Sequence, residues 1–334
     1  MMSKILVTGA TGFIGKELVA YLHGRGHEVR VLLRDQAKSS LFPREIEIYP
    51  GDLCHLGSLA NLCTNVQTVF HLAGYAHANR GPHFASLHHE VNFKGTENIL
   101  HVAVKAKVEK FIYFSSVKAV ADHKATLDET WEMQPTSPYG RAKRAAELAV
   151  LETGKQYAMS VSILRPALVY GPDWKGNLAT MLKAIIKGYF LPIPEVKHFR
   201  SMISVNDICR AAVMAANNPA ANGKTYFVTD NIPYSSRDIY LLMMKALGKR
   251  IPAWHVPLNA FKLLAMAGDL LEKVVHKPMP FNAETLDKLF GQALYSSKRI
   301  QQELAFEPKD TLETMLPFII KCYQQTEVKD GKQY

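Results

Sequence analysis

Short apolar runs recur along the first half of the chain, separated by stretches whose apolar positions fall three and four apart. The runs read as strands over Lys4 to Thr8, Glu28 to Leu33, Glu45 to Tyr49, Thr68 to Leu72, Lys110 to Phe114 and Ser160 to Leu164. The stretches between them read as helices, notably Asn92 to Ala106 and Tyr139 to Tyr157. Continuous apolar strands alternating with amphipathic helices predict an α/β fold with a doubly wound parallel sheet. A further strand fits Thr225 to Thr229. After Gly171-Pro172 the pattern loosens and proline becomes frequent (Pro192, Pro194, Pro252, Pro257, Pro278, Pro280). The expected division is a sheet domain over 1–170 plus about 201–229, and a smaller lobe over about 171–200 plus 230–326. A polar, frayed tail is expected over 327–334.

The first strand runs into Thr8-Gly9-Ala10-Thr11-Gly12-Phe13-Ile14-Gly15 and then an apolar helix carrying Leu18, Val19 and Leu22. Strand, glycine turn and helix in this order make a dinucleotide site. Gly9 permits the turn, Gly12 admits a pyrophosphate to the backbone, and Gly15 lets the helix pack close to the sheet. The free N–H groups of the new helix then face the phosphates. The spacing, Gly-x-x-Gly-x-x-Gly, departs from Gly-x-Gly-x-x-Gly. The second strand ends in Leu33-Arg34-Asp35. An acidic residue at that end would favour NAD, and an arginine accommodates a 2′-phosphate, so Arg34 points to NADP with NAD as the alternative.

Composition adds boundaries. The chain has 334 residues, 48% hydrophobic and 21% charged, enough for a large core. No apolar run is long enough to span a bilayer, and the start shows no signal peptide. Cys54, Cys63, Cys209 and Cys322 form no Cys-x-x-Cys motif, which fits a reduced cytoplasmic protein. The formal net charge is +10. A scattered solvated surface, attraction of an anionic cofactor and substrate, and contact with an acidic membrane all accommodate it. No zinc-finger spacing or ribonucleoprotein motif supports nucleic-acid binding. No His-Glu-x-x-His pattern occurs, His88-His89 alone is no ligand pair, and no metal is expected.

Tyr139 and Lys143 fall one turn apart on one helical face. An ammonium beside a phenol favours the phenolate, so the tyrosine is expected to exchange a proton well below the usual pKa of about 10. That suits carbonyl and alcohol chemistry. Ser115 and Ser116 end an apolar strand, and a serine there donates to a substrate oxygen beside Tyr139. Ser116 is the first choice and Ser115 the alternative. Asp52, in Gly51-Asp52-Leu53, offers a carboxylate to the adenine amino group or closes a turn. His71-Leu72-Ala73-Gly74 ends the fourth strand with small residues, leaving room for a ligand. Asn92 is placed at a helix start, where the simplest role is a cap.

Together these segments, with Arg165-Pro166-Ala167-Leu168-Val169-Tyr170-Gly171-Pro172, resemble the extended short-chain dehydrogenase/reductase superfamily over most of the chain. The resemblance implies a Rossmann-type sheet with a small C-terminal substrate lobe. It implies Ser116, Tyr139 and Lys143 as a catalytic triad, and a possible homodimer built by pairing helices. It implies a cofactor held by Gly9, Thr11, Gly12, Phe13, Ile14, Gly15, Arg34, Asp52, Leu53, Leu72, Ala73, Gly74, Asn92, Tyr139 and Lys143.

Lys175-Gly176-Asn177-Leu178 and Arg200 to Asp207 resemble segments of nucleotide-sugar epimerases and dehydratases, as does Ser297 to Pro308, where Ala305 stands at a position often glycine. That resemblance implies that Asn177 and Arg200 join Ser116 and Tyr139 in binding a nucleotide-sugar substrate, Arg200 through its fork on phosphate. Ser115 to Lys118 and Lys175 to Asn177 most resemble bacterial UDP-4-keto-6-deoxy-hexosamine 4-reductases of surface-polysaccharide synthesis. Val120-Ala121 stands where epimerases often carry Tyr-Gly, and Val117-Lys118 where dehydratases carry an acidic pair. The competing expectations are a UDP-hexose 4-epimerase, a steroid- or flavonoid-type ketone reductase, and a non-catalytic cofactor-binding regulator. The stretch Phe261 to Val275 packs the small lobe, lines an apolar pocket, or meets a membrane surface.

Overall fold

The structure, a computed structural model, describes residues 4–76, 82–275, 279 and 281–329. Its elements run β1 Lys4–Thr8, α1 Phe13–His23, β2 Glu28–Leu33, β3 Glu47–Pro50, β4 Thr68–His71, α2 Pro82–His88, α3 Gly95–Lys105, β5 Lys110–Phe114 and α4 Pro138–Tyr157. There follow β6 Ser160–Pro166, β7 Leu168–Tyr170, α5 Asn177–Ile186, β8 Phe199–Ser204, α6 Val205–Asn217, β9 Lys224–Val228, β10 Pro233–Ser235 and α7 Ser236–Ala246. The last are α8 Leu258–Val275, α9 Ala283–Phe290, α10 Lys298–Leu304 and α11 Leu312–Lys329.

Among the described residues seven strands form one parallel sheet in the order β3-β2-β1-β4-β5-β6-β9. The chain winds outward from β1 in both directions, which makes β1 and β4 the point where strand order reverses and ligands bind. Central strands are buried almost throughout because helices cover both faces: Leu6, Val7, Val31, Val69 and Phe111 have no measurable exposure. One face packs against α1, α6 and α10, with Leu18, Ile208, Ile300, Leu304 and Phe306 in its core. The other packs against α3 and α4 through Ile99, Ala103, Ala146 and Val150.

The C-terminal lobe carries a second, three-stranded sheet in the order β10-β8-β7. Tyr170, Trp174, Leu182, Met202, Tyr240, Phe261, Phe290, Leu312 and Leu316 build its core. This sheet was not expected, and Phe199–Ser204 pairs within it. The third strand starts at Glu47, two residues later than expected. Pro278, Pro280 and the tail beyond Lys329 lie outside the described residues, and the helix α11 reaches into the segment expected to be frayed.

Candidate active site

The glycine turn is held by backbone geometry. Gly9 has φ +71°, and a Cβ there would lie 2.6 Å from the amide nitrogen of Ala73, so β1 and β4 close together only around a glycine. Gly12 caps α1 and donates its N–H to the carbonyl of Gly9 at 2.9 Å, and Gly15 is buried on the inner side of the first turn. No side chain caps α1. Its first N–H groups and dipole are therefore left for an anion.

A cleft of about 280 Å³ opens beside this turn. It is lined by Gly9, Thr11, Gly12, Leu32, Leu33, Arg34, Asp35, Lys38, Gly51, Asp52, Leu53, Leu72, Ala73 and Gly74 among others. Segments distant in sequence thus converge at the carboxyl ends of β1, β2, β3 and β4, where a dinucleotide fits. Arg34 is exposed on the rim. Asp35 accepts from the N–H of Ala37 at 3.1 Å and caps the turn that follows, with Lys38 3.7 Å away. One oxygen of Asp52 accepts from the N–H of Cys54 at 2.9 Å, closing a turn while the residue still lines the cleft. Phe13 lines a neighbouring cavity with Lys16, Trp174 and Lys175, and Ile14 packs into the main core.

The wall of the cleft at Gly74 leads to Lys143, whose Nζ would lie 3.6 Å from a Cβ built there. Lys143 is buried, donates to the carbonyl of Phe114 at 2.8 Å, and sits 4.7 Å from the ring centre of Tyr113. Burial lowers its pKa to about 8, against the opposing pull of Glu147 one turn on. Tyr139 corrects the sequence argument. Burial raises its pKa, and Ser116 opposes that shift. Tyr139 is thus held as a phenol. Ser116 is the serine that acts on Tyr139, and its Oγ also accepts from the N–H of Lys118 at 3.1 Å. Ser115 is buried with its Oγ unpartnered. Gly140 makes this approach possible, because a Cβ there would lie 2.3 Å from the carbonyl of Lys118.

Asn92 does not start a helix. It lies in a π-helical turn, His89–Lys94, between α2 and α3, fully buried. Its Oδ1 accepts from the N–H of Tyr75 at 2.6 Å and its Nδ2 donates to the carbonyl of Tyr75 at 2.9 Å. The amide therefore pins the chain just after Gly74. A wide turn of this kind turns an inward side chain out of the regular register.

Three participants escaped the sequence reading. His88, one turn before Asn92, is buried, places Nδ1 3.1 Å from the carbonyl of Tyr75, and packs edge-on to Tyr139 with ring centres 5.6 Å apart. Its i, i+4 spacing from Asn92 was the available signal. His71 is fully buried between the hydroxyls of Thr8 at 2.6 Å and Thr96 at 3.0 Å, and burial lowers its pKa to about 3. Glu147 receives both Arg165 and Arg144 behind Lys143.

Asn177 and Arg200, expected to bind substrate, lie on α5 and β8. Asn177 is the exposed first residue of α5 and does not cap it; Gly176, at φ +85°, is the cap. Arg200 is half-buried on β8 and donates to the carbonyl of Leu289 at 2.9 Å.

A Rossmann sheet, a glycine turn with no side-chain cap at its switch point, and half-buried Tyr139 and Ser116 beside the buried Lys143 define an oxidoreductase fold of the extended short-chain type. The chain belongs to the NAD dependent epimerase/dehydratase family, whose model matches residues 5–228. It is 28% identical over 328 residues to a UDP-glucose 4-epimerase of Vibrio cholerae, covering 94% of this chain and 93% of that protein. It is 26% identical over 302 residues to an N-acetyl-α-D-glucosaminyl-diphospho-ditrans,octacis-undecaprenol 4-epimerase of Escherichia coli O157:H7, covering 90% of this chain and 89% of the relative. The fold is shared with a Thermotoga maritima UDP-glucose 4-epimerase solved with UDP-glucose, at TM-score 0.79 and 22% identity over 97% of this chain and 99% of that one.

Proposed function

We propose that this protein is a reductase that uses NADPH to reduce the 4-keto group of a UDP-4-keto-6-deoxy-N-acetylhexosamine. The observation that carries this reading is the adenosine end of the cleft. Arg34 and Lys38 line it, Leu33 ends the second strand, and the carboxylate of Asp35 is committed to the following turn. That lining suits a 2′-phosphate, and the acids nearby, Asp35 and Asp52, each already accept a backbone N–H.

A dinucleotide held by the glycine turn and the cleft would supply hydride to the carbonyl carbon. Tyr139, kept as a phenol by burial, gives its proton to the carbonyl oxygen. Ser116 donates to that same oxygen and aligns it with Tyr139. Lys143 brings a positive charge to the floor of the site and is held there by Phe114. Asn177 and Arg200 are proposed to hold the nucleotide diphosphate, Arg200 through the guanidinium N–H groups left after its bond to Leu289.

The test is titration with NADPH and NADH, followed by NADPH oxidation with the keto sugar. Tighter NADPH binding that Arg34→Ser weakens by about tenfold, with NADH little changed, supports the reading. A second reading, a UDP-hexose 4-epimerase, is favoured by the similarity to the Vibrio cholerae enzyme. Retained NAD, no net oxidation and interconversion of UDP-hexoses would establish it instead.

A further inference from the structure

We propose that the outward face of α8 seats this protein on the surface of an anionic lipid bilayer without crossing it. The helix turns Phe261, Ala265 and Gly268 into the lobe's core. Its other side is apolar as well. Leu263, Ala267, Leu270 and Val274 follow one another at steps of four, three and four, a single stripe along the helix. Leu263, Leu270 and Val274 are 66%, 64% and 70% exposed, with Met266, Leu264 and Leu271 beside them at 66%, 49% and 51%. Scattered exposed leucines need no explanation, but a contiguous stripe of this size does.

The charges around the stripe select the occupant. Lys262 and Lys273 flank it and are exposed. The two acids of the helix are half-buried and already bonded: Glu272 accepts from the side-chain amide of Asn282 at 3.1 Å, and Asp269, on the same edge as the two lysines, from the N–H of Ala283 at 3.3 Å. The outward face therefore carries cations and no exposed carboxylate, on a chain of net charge +10. Before the helix stand Trp254, 60% exposed, and Arg250. The loop bearing Tyr189, 64% exposed, is tied to this segment by the N–H of Val256 on the carbonyl of Pro192 at 3.1 Å. Leucines on one face, lysines at its margin and aromatic rings at its end suit the boundary between headgroups and acyl chains. Among the described residues no helix is long and apolar enough to cross a membrane. A second copy of this chain would set the flanking lysines against each other.

Sedimentation of the full chain with vesicles of phosphatidylglycerol and phosphatidylcholine at low salt tests this, with pure phosphatidylcholine vesicles alongside. Binding to the anionic vesicles, weakened by salt and reduced at least about tenfold by Leu263→Gln with Leu270→Gln and Val274→Gln, is expected. These positions face outward, so retained NADPH binding verifies the variant's fold. A blue shift of tryptophan emission in the unmodified protein on adding the anionic vesicles gives a second readout, because Trp254 is the most exposed of the tryptophans. No binding to anionic vesicles overturns the proposal. So does equal binding by the triple variant, or a dimer that the same substitutions dissociate without any vesicle binding.

Discussion

The ammonium of Lys143 donates to the carbonyl of Phe114 at 2.8 Å, so the helix that carries Tyr139 is tied to the strand that ends beside Ser116. This bond holds the two halves of the proposed catalytic group together. Replacing Tyr139 by phenylalanine removes the proton donor and leaves this tie intact. Turnover on the true substrate should fall by about 10²- to 10⁴-fold with cofactor affinity little changed. Steady-state kinetics beside a cofactor titration checks both halves, and unchanged turnover would refute the role.

Burial sets the pH behaviour of Lys143. Its pKa of about 8 lies below the ordinary 10.5, so the site loses its positive charge as pH rises through about 8. The profile of kcat/KM for the free enzyme should fall on the alkaline side with an apparent pKa near that value. Stability runs the other way. Between about 8 and 10.5 the unfolded chain holds the proton and the folded one does not, so this group's contribution grows with pH across that window. A flat alkaline profile would show that the ammonium is not needed.

Glu147 has no exposure and receives Arg165 at 2.8 and 2.6 Å and Arg144 at 3.1 Å. Glu147→Gln leaves Arg165 charged and buried against a neutral partner, and the loss should be about 3 kcal/mol or more. Thermal or denaturant unfolding measures it. Lys143 also loses a neighbour that favours its charge, so the alkaline limb should move to lower pH in the same variant.

Ala305 ends α10 at φ +53°, the left-handed region. This explains why glycine is frequent at that position in the resembled family. Ala305→Gly should stabilise the protein by about 1 kcal/mol, read as a shift of the denaturation midpoint.

The parts that were legible in the sequence are those in which neighbouring residues suffice. Ile5-Leu6-Val7 reads as a central strand because both faces of a parallel strand are apolar. Tyr139 and Lys143 declare a shared helix face by spacing alone. What could not be read depends on distant partners. Leu168–Tyr170 and Pro233–Ser235 are three residues each, too short for any period, and become strands only by pairing with Phe199–Ser204. The phenol of Tyr139 was expected to lose its proton readily because the ammonium was visible in the sequence and the burial was not. Asn92 reads as a cap because Asn favours helix starts, and the chain after Gly74 that it grips is seventeen residues away. The apolar stretch of α8 leaves packing, pocket and membrane readings open in sequence, and only the burial of Phe261 and Gly268 shows which leucines point outward.

Ile300, Leu304 and Phe306 pack in the same core as Ile5, Leu18 and Val29. The first strand and the last helix against the sheet are thus separated by nearly the whole chain. On a ribosome the glycine turn is made early, yet the face of the sheet that α1 and α6 cover is completed only when α10 has emerged. A nascent chain halted before Ile300 would leave open to water the core positions that Ile300, Leu304 and Phe306 fill.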